Sequence, residues 1–301
     1  MGCFFVTANK WFLSEYAALF ACPICAGPFR AIDRRCFVCA NRHSYDIARQ
    51  GYVNLLPHSP KTKYDKRMFE ARSLICGSGF FDPVIERVVG IVGKAANPAG
   101  EKTKLLDAGC GEGSVLTRLL QMCREARFDL LGVGVDLSKE GIRLASKGSS
   151  DAVWCVADLA KCPFADKPFG FILNMLSPAN YAEFRRMLAD DGMVIKVIPE
   201  EGYLQELRDM FHLRKNRRMA AGDRTAELFS RHFDLVEMQR VRYRVVVDSA
   251  ALGHLIRMTP LSWGVPDELV RQALARERAE ITVDLSILIG KPRLLAEGGS
   301  Y

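Results

Sequence analysis

A cluster of cysteine and histidine residues near the start of the chain has the composition of a metal site. The sequence reads CPIC from Cys22 and, after ten further residues, CFVCANRH, which ends at His43. Zinc takes four tetrahedral ligands from cysteine thiolates and histidine nitrogens, and a Cys-x2-Cys pair supplies two of them. Cys22 and Cys25 form one such pair. The second pair is either Cys36 with Cys39 or Cys39 with His43, so five candidates remain for four positions.

A glycine-rich turn, LLDAGCGEGSVL, is the second feature with a chemical meaning. An apolar run leads into the turn and a helical pattern leaves it, so its backbone lies at a helix N-terminus where a ligand can approach closely. Asp107 before the turn and Glu112 within it would repel a pyrophosphate group. The spacing also differs from the GxGxxG of dinucleotide-binding folds. The turn therefore indicates a cofactor with a cationic amino-acid end. Its glycines are Gly109, Gly111 and Gly113.

Acidic residues also end the next two predicted strands. Asp136 follows the run LLGVGV, at the position where a carboxylate usually receives ribose hydroxyls. Asp158 follows AVWCVA, where it could accept a hydrogen bond from an adenine amino group. With Asp107, three acids stand at consecutive strand ends behind a GxGxG turn, and together they look like the class I S-adenosylmethionine methyltransferase fold. A nicotinamide oxidoreductase is disfavoured by the glycine spacing.

The elements that must position these residues alternate between strand and helix after residue 104. Apolar runs such as LLGVGVD and MVIKVIP predict buried strands, and the helical patterns between them predict crossovers and a parallel sheet covered on both faces. Two strand-like runs near the C-terminus, DLVEMQRVRYRVVV and ITVDLSILIG, predict a late antiparallel hairpin. We expect an α/β, Rossmann-like fold whose mostly parallel sheet has seven strands and an antiparallel last strand, preceded by a small zinc-ribbon domain.

Length and composition suit a small module joined to one catalytic domain. The 301 residues are 49% hydrophobic, and no run of about 18 uncharged apolar residues predicts a membrane span. The ten cysteines lack the spacing of a disulfide scaffold, which indicates a reducing cytoplasm. The predicted units are an N-terminal extension (1–20), a zinc-binding RNA-recognition domain (21–60), a helical linker (61–100) and a methyltransferase domain (101–301).

Basic charge is concentrated in and just after the cysteine cluster. The formal net charge of the chain is +7, and residues 22–72 hold ten Lys and Arg against four Asp and Glu, a net of +6. Charge gathered in this way predicts a surface for a polyanion, of which nucleic acid is the commonest. A solvated basic face without a partner is the alternative interpretation.

Taken in order, the motifs resemble one family. The zinc cluster is followed by YDIARQGYVNLLP (45–57), by MFEARSLICGSGFFDP (68–83) and by the glycine-rich turn. This series resembles the bacterial 23S rRNA (guanine-N1)-methyltransferases, whose members carry a zinc ribbon, a GYVNLL segment and an ARR-FL-GHY-P helix. The resemblance extends from about Cys22 to the C-terminus. It implies methyl transfer from S-adenosylmethionine to N1 of a guanine in a 23S rRNA hairpin loop, and a homodimer that embraces the RNA.

The resemblance also implies roles for single residues. The family's ligand spacing gives the zinc site Cys22, Cys25, Cys39 and His43, and Cys36 has no counterpart. An aromatic residue that contacts the cofactor falls on Phe81, where Phe lacks the hydroxyl, and a histidine after the fifth strand falls on Tyr203. Gly113 and Ser114 match backbone positions at the methionine end. The residues expected to bind the cofactor are Phe81, Asp107, Gly109, Gly111, Glu112, Gly113, Ser114, Asp136, Leu137, Asp158, Asn174 and Tyr203.

The reaction requires removal of the proton on guanine N1, and no residue of the sequence is identified as that base. Two other functions remain open. One is a small-molecule or tRNA methyltransferase with a structural zinc ribbon, and the other is a non-catalytic RNA-binding protein with this fold. The intact acids and glycines of the cofactor motif disfavour the latter. We expect a cytoplasmic enzyme that uses S-adenosylmethionine and Zn²⁺, acts on a 23S rRNA hairpin and has no membrane partner.

Overall fold

The fold is taken from a computed structural model, which describes residues 10, 12–57, 64–95, 102–148, 151–213 and 220–293. Its strands are β1 (Phe29–Ile32), β2 (Cys36–Cys39), β3 (Ser44–Asp46), β4 (Tyr52–Asn54), β5 (Thr103–Ala108), β6 (Leu130–Asp136), β7 (Ala152–Val156), β8 (Phe169–Met175), β9 (Leu188–Pro199), β10 (Phe233–Asp248) and β11 (Arg278–Pro292). Its α-helices are α1 (Lys66–Gly77), α2 (Asp82–Ala95), α3 (Ser114–Glu125), α4 (Lys139–Gly148), α5 (Tyr181–Met187), α6 (Gln205–Met210), α7 (Ala220–His232), α8 (Ser249–Met258) and α9 (Asp267–Leu274).

The strands form two sheets. β1, β2 and β3 make a small antiparallel sheet, and the other eight strands lie in the order β10-β11-β9-β8-β5-β6-β7-β4. Every pairing from β9 to β4 in the larger sheet is parallel, whereas β11 is antiparallel to both β9 and β10. This confirms the predicted α/β class, with its mostly parallel sheet and antiparallel ending.

The larger sheet has one more strand than the seven expected. The additional strand, β4, comes from the GYVNLLP segment and pairs in parallel with β7, with Tyr52 opposite Trp154. It lies in the range that the sequence analysis assigned to the zinc-binding domain. A strand of three residues is too short to show a period-2 pattern in the sequence. Its partner strand is also about 100 residues away, so no local signal indicates the pairing.

The central strands are buried on both faces, as a parallel sheet covered by helices requires. All seven residues of β6 except Asp136 are buried, and all five residues of β7 are buried. Because these strands run parallel, their carboxyl ends meet at one edge of the sheet. That geometry brings Asp107, Asp136 and Asp158 to the same side of the molecule.

The small sheet packs on the large one through aromatic side chains. Phe37 of β2 is fully buried, with its ring 5.4 Å from that of Phe20, and the Phe20 ring lies 5.1 Å from that of Phe164. Phe20 belongs to the predicted N-terminal extension, and Leu106 of β5 is part of the same hydrophobic cluster. These contacts show that the zinc-binding module shares its core with the larger sheet. Burying each such ring contributes roughly 1.5–3 kcal/mol to stability.

The predicted helical linker packs closely against the catalytic fold. Asp65 caps α1 by accepting a hydrogen bond of 2.8 Å from the Met68 amide. α1 packs against α8, α3 and α4, and α2 packs against α3. Phe69 is buried on α1 and lies against the glycine-rich turn. None of the described helices is long and apolar enough to cross a membrane.

Candidate cofactor site and metal centre

The glycine-rich turn joins β5 to α3 in a backbone conformation that requires glycine. Gly109, Gly111 and Gly113 have φ angles of +87°, +59° and +79°, in the left-handed region that other residues rarely adopt. Space is equally restrictive, because a Cβ on Gly109 would lie 1.9 Å from Ser177 Oγ. On Gly113 it would lie 2.5 Å from the Trp154 ring. The turn thus presents bare backbone at the N-terminus of α3.

Two carboxylates of this turn are buried without enough partners. Asp107 is 2% exposed and Glu112 is 5% exposed. Within the described residues, Oδ2 of Asp107 and both side-chain oxygens of Glu112 accept no hydrogen bond. Buried carboxylate oxygens of this kind are costly unless a partner satisfies them. They fit a cationic ligand, and S-adenosylmethionine carries both a sulfonium and an ammonium group.

The protonation of these acids reflects their burial. Burial raises the pKa of Asp107 to about 7; Arg72 opposes this rise, while the nearby Asp136 and Glu112 add to it. Burial also raises the pKa of Glu112, again against the influence of Arg72. A bound cation would favour the charged forms of both groups and lower these pKa values. The site is therefore built to gain negative charge when a cationic ligand enters.

Arg72 belongs to this site, although the sequence analysis counted it only among the basic residues. Its Nε lies 3.4 Å from Glu112 Oε2, and its Nη1 would lie 3.5 Å from a Cβ on Gly111. Burial lowers the pKa of Arg72, but the charges of Glu112, Asp136 and Asp107 outweigh it and raise the value overall. A single arginine in the apolar setting of MFEARSLICGSGFFDP was the available signal.

Asp136 and Asp158 lie along the same edge of the sheet. The Asp136 carboxylate accepts hydrogen bonds from the Gly111 amide (2.9 Å) and from the Ser138 amide (2.7 Å), which ties two loops together. Asp158 is exposed, and its Oδ1 accepts a bond of 2.8 Å from the Ala160 amide. Leu137 is half-buried next to Asp136. Their predicted contacts with ribose and adenine stay predictions.

The remaining predicted cofactor residues surround the turn at different depths. Phe81 is 3% exposed and packs edge-on against Phe80, with ring centroids 5.0 Å apart. Tyr203 is half-buried after β9, and burial raises the pKa of its hydroxyl. Ser114 Oγ lies 3.3 Å from Ser73 Oγ of α1. Asn174 is fully buried, and its side-chain amide donates 2.6 Å to the Ala108 carbonyl. The predicted roles of these residues toward the cofactor stay predictions.

A cleft of about 900 Å³ adjoins the turn on its outer side. It lies between α1, α3 and α4 and touches the turn at Glu112 and Ser114. Asp107, Asp136 and Asp158 do not line it. We place the candidate cofactor site at the three acids rather than in this cleft, because the orphaned oxygen of Asp107 and the three strand ends lie there.

The metal centre lies in the small sheet and its two adjoining turns. The ligand atoms of Cys22, Cys25, Cys39 and His43 all fall within 4.8 Å of one another. Cys25 Sγ is 3.6 Å from Cys39 Sγ, and His43 Nδ1 is 3.4 Å from Cys39 Sγ. Bonds of about 2.0–2.3 Å in a tetrahedron place neighbouring ligand atoms about 3.4–3.8 Å apart, so these four residues fit zinc. Cys36 lies opposite Asp46 in the sheet and is not among them.

Local backbone structure prepares the metal centre. The Ala26 amide donates 2.8 Å to the Cys22 carbonyl, and the Arg42 amide donates 2.9 Å to the Cys39 carbonyl, so each pair of ligands is held by a tight turn. A hydrogen bond from the Gly27 backbone is the main influence that lowers the pKa of Cys25 to about 6, with a smaller contribution from His43. Zinc binds the thiolate form, which this low pKa favours.

Comparison with protein families divides the chain into two parts. A zinc-ribbon model described as "RlmA, N-terminal" matches residues 20–63. A model described as "Methyltransferase domain" matches residues 105–192. The first range contains the metal centre and β4, and the second contains the glycine-rich turn and the ends of β6, β7 and β8.

Two relatives are similar to this chain over nearly its whole length. A Bacillus subtilis protein, YxjB, which carries a provisional 23S rRNA (guanine-N1)-methyltransferase name, is 40% identical over 91% of this chain and 97% of its own length. The 23S rRNA (guanine(748)-N1)-methyltransferase of Streptomyces fradiae is 36% identical over 90% of this chain and 96% of its own length.

Proposed function

Since this chain belongs to the family of 23S rRNA (guanine-N1)-methyltransferases, we propose that it transfers a methyl group from S-adenosylmethionine to N1 of a guanine in 23S rRNA. One observation carries the proposal. A four-ligand zinc ribbon and a glycine turn beside buried carboxylate oxygens that accept no hydrogen bond within the described residues occur in one chain. The two relatives with a 23S rRNA (guanine-N1)-methyltransferase name match this chain across both the zinc ribbon and the methyltransferase domain.

The residues of the site would act mainly by holding and aligning the reactants. When bound, S-adenosylmethionine supplies a methyl group on a sulfonium centre, which is reactive toward a nucleophile in line with the carbon–sulfur bond. In this proposal Asp107 and Glu112 would provide negative charge for the cationic end, and Asp136 would receive the ribose hydroxyls. Alignment of two bound reactants can lower a barrier by several kcal/mol, so a dedicated nucleophile on the protein is not required.

The zinc-binding module is suited to hold the RNA backbone. Its arginines at positions 30, 34, 35, 42 and 49 are all exposed. Contacts between such cations and phosphates give affinity that falls with salt, and they position a nucleic acid without reading its bases. The lysines of residues 58–63, which also contribute to the basic excess, lie outside the described residues.

We extend the proposal to a hairpin loop as the target and to a homodimer as the working form. A guanine can present N1 only when its Watson–Crick edge is unpaired, and loops offer such bases. The family resemblance suggests two zinc modules that embrace one RNA. We include a cytoplasmic location in the proposal, because a 23S rRNA substrate is found there. The name of the Streptomyces fradiae relative suggests guanine 748 as the first position to test.

A second candidate is a small-molecule methyltransferase whose zinc ribbon is structural. The shared core around Phe20 and Phe164 favours it, because the ribbon buries aromatic surface that the larger sheet needs covered. Binding to an rRNA hairpin that weakens steeply between low and high salt would argue against this candidate.

The proposal is tested with 23S rRNA from a strain that lacks the gene. We expect mass spectrometry to show loss of one N1-methylguanine, and purified protein to restore it on that rRNA. A variant with Asp107→Asn serves as the matched control, because it should bind RNA and transfer little methyl. Unchanged guanine methylation in the deletion strain would refute the proposed function.

A further inference from the structure

Lys196 is a buried cation that none of the roles described so far uses. It lies in β9 between two fully buried residues, Ile195 and Val197, and is itself 5% exposed. No carboxylate among the described residues pairs with it. Desolvation of an ammonium group is unfavourable, and a methionine of similar volume would avoid that cost. A charge kept in such a position near a ligand site points to a role in function.

The partners of Lys196 are neutral oxygens at the end of β8 and beyond it. Its Nζ donates to Asn174 Oδ1 and, over 2.5 Å, to the Ser177 carbonyl. Asn174 in turn donates through Nδ2 to the Ala108 carbonyl (2.6 Å) and to the Pro178 carbonyl (3.1 Å). Directly and through Asn174, one ammonium therefore links β9 and β8 to Ala108, the residue before Gly109, and to the Ser177 and Pro178 carbonyls of the turn at 176–178.

The 176–178 turn has a strained backbone and lies directly against Gly109 of the glycine-rich turn. Leu176 has a φ of +52°, which is unfavourable for a leucine, and its amide donates 3.1 Å to the Val197 carbonyl. Ser177 leaves no room for a Cβ on Gly109, with Oγ and Cβ at 1.9 and 2.7 Å from that position. A non-glycine residue persists in this conformation only when surrounding bonds hold it there. Lys196 supplies the strongest of those bonds, because hydrogen bonds from a charged donor are about twice as strong as neutral ones.

We propose that Lys196 is a positioning residue for methyl transfer, whose ammonium fixes the 176–178 turn over Gly109 so that the turn frames the methyl group and the incoming guanine. The identity of the reaction in this statement rests on the proposed function. The positioning of the 176–178 turn by Lys196 does not depend on the proposed function. Asn174 and the Ser177 carbonyl transmit the effect, and Lys196 itself contacts neither reactant.

The protonation of Lys196 provides a readout that packing alone would not give. Burial lowers the pKa of Lys196 to about 8. The groups of the described residues that face it are uncharged: Asn174 on β8, the Ser177 carbonyl in the turn, and Leu288, its register partner on β11. The ammonium form therefore predominates at pH 7, and above pH 8 the charged donor is lost.

The test compares Lys196→Met with Lys167→Met in the full-length protein. Lys167 is an exposed lysine that pairs with Asp190 over 2.5 Å, so its substitution controls for loss of a lysine charge. We expect Lys196→Met to lower kcat by at least about 30-fold, with KM for the rRNA and Kd for S-adenosylmethionine changed by less than about 3-fold. Wild-type kcat should show a component that declines above pH 8 and is missing in Lys196→Met. Hydrogen exchange over residues 174–180 should accelerate only in this variant.

Two outcomes would overturn the proposal. One is a kcat within about 3-fold of wild type, and the other is a fall in kcat matched by an equal loss of cofactor affinity, which indicates general collapse of the site. If Lys196→Met does not fold, Lys196→Gln, which keeps a donor without the charge, is judged by the same criteria. A wild-type protein that binds S-adenosylmethionine but leaves rRNA unmethylated contradicts the proposed function alone. Hydrogen exchange of the turn then decides the role of Lys196, with unchanged exchange counting against it.

Discussion

Arg72 on α1 and Glu112 in the glycine-rich turn form an ion pair, with Nε 3.4 Å from Oε2. The Glu112 side chain is 1% exposed and the Arg72 side chain 26%. The pair joins α1, which precedes the methyltransferase domain in the chain, to the glycine-rich turn of that domain. The charges of Asp107 and Asp136 also interact with this guanidinium. Arg72 therefore offsets the repulsion among Asp107, Glu112 and Asp136 while no cationic ligand is bound.

Removal of that positive charge is expected to destabilise the cofactor-free protein. Arg72→Gln leaves Glu112 buried without a charged partner, and we expect a loss of about 1–3 kcal/mol in the free energy of unfolding. Urea denaturation measures it. Arg124→Gln, which breaks an exposed pair with Asp151, is the control and should cost less than about 1 kcal/mol. The double variant Arg72→Gln/Glu112→Gln should recover part of the loss, and no recovery would contradict coupling between the two residues.

Cofactor affinity is expected to fall as the pH decreases through 7. The pKa of Asp107 is raised to about 7 by burial, whereas a bound cation favours the carboxylate, so binding releases a proton. The Kd for S-adenosylmethionine should therefore rise about 10-fold from pH 8 to pH 6, as measured by calorimetry. Asp107→Asn should bind more weakly at pH 8 and show a flatter profile. An equal pH dependence in this variant would assign the proton to another group.

Zinc content is expected to separate Cys36 from the four cysteine and histidine ligands. Cys39→Ser removes a thiolate that lies 3.6 Å from Cys25 Sγ and should abolish stoichiometric zinc, measured by elemental analysis of the purified protein. Cys36→Ser should retain about one zinc per chain, because Cys36 lies outside the cluster. Loss of zinc from Cys36→Ser with retention in His43→Ala would reverse the assignment. Chelation should also destabilise the small sheet, since the metal links its two turns.

RNA affinity is expected to depend on the exposed arginines of the zinc-binding module. The double variant Arg35→Ala/Arg42→Ala should weaken binding of an rRNA hairpin and reduce the slope of log K against log salt by roughly 0.7 for each lost phosphate contact. S-adenosylmethionine binding should be unchanged, because both residues lie in turns beside strands of the small sheet, whereas the glycine-rich turn follows β5 of the larger sheet. Arg278→Ala, an exposed arginine at the start of β11, is the matched control. An equal effect of the control would point to nonspecific loss of charge.

Much of this protein was determined by local sequence. The Cys-x2-Cys and Cys-x3-His spacings carry their own turns, and the GxGxG motif carries the positive φ angles that its loop needs. Apolar runs that alternate with helical patterns predicted a parallel sheet, and three of those runs end in Asp107, Asp136 and Asp158. The choice of His43 over Cys36 came from the family resemblance, and the geometry of the cluster is consistent with it.

Only the tertiary structure decided the relations between residues distant in the chain. Arg72 meets Glu112 across 40 positions, and Lys196 meets Asn174 across 22. Tyr52–Asn54 became an edge strand because β7 was available to pair with it. In each case the side chain or strand has no local pattern that marks it. The strand forms because its partner is nearby in the fold. The roles of Arg72 and Lys196 arise from burial, since a desolvated charge must find specific partners.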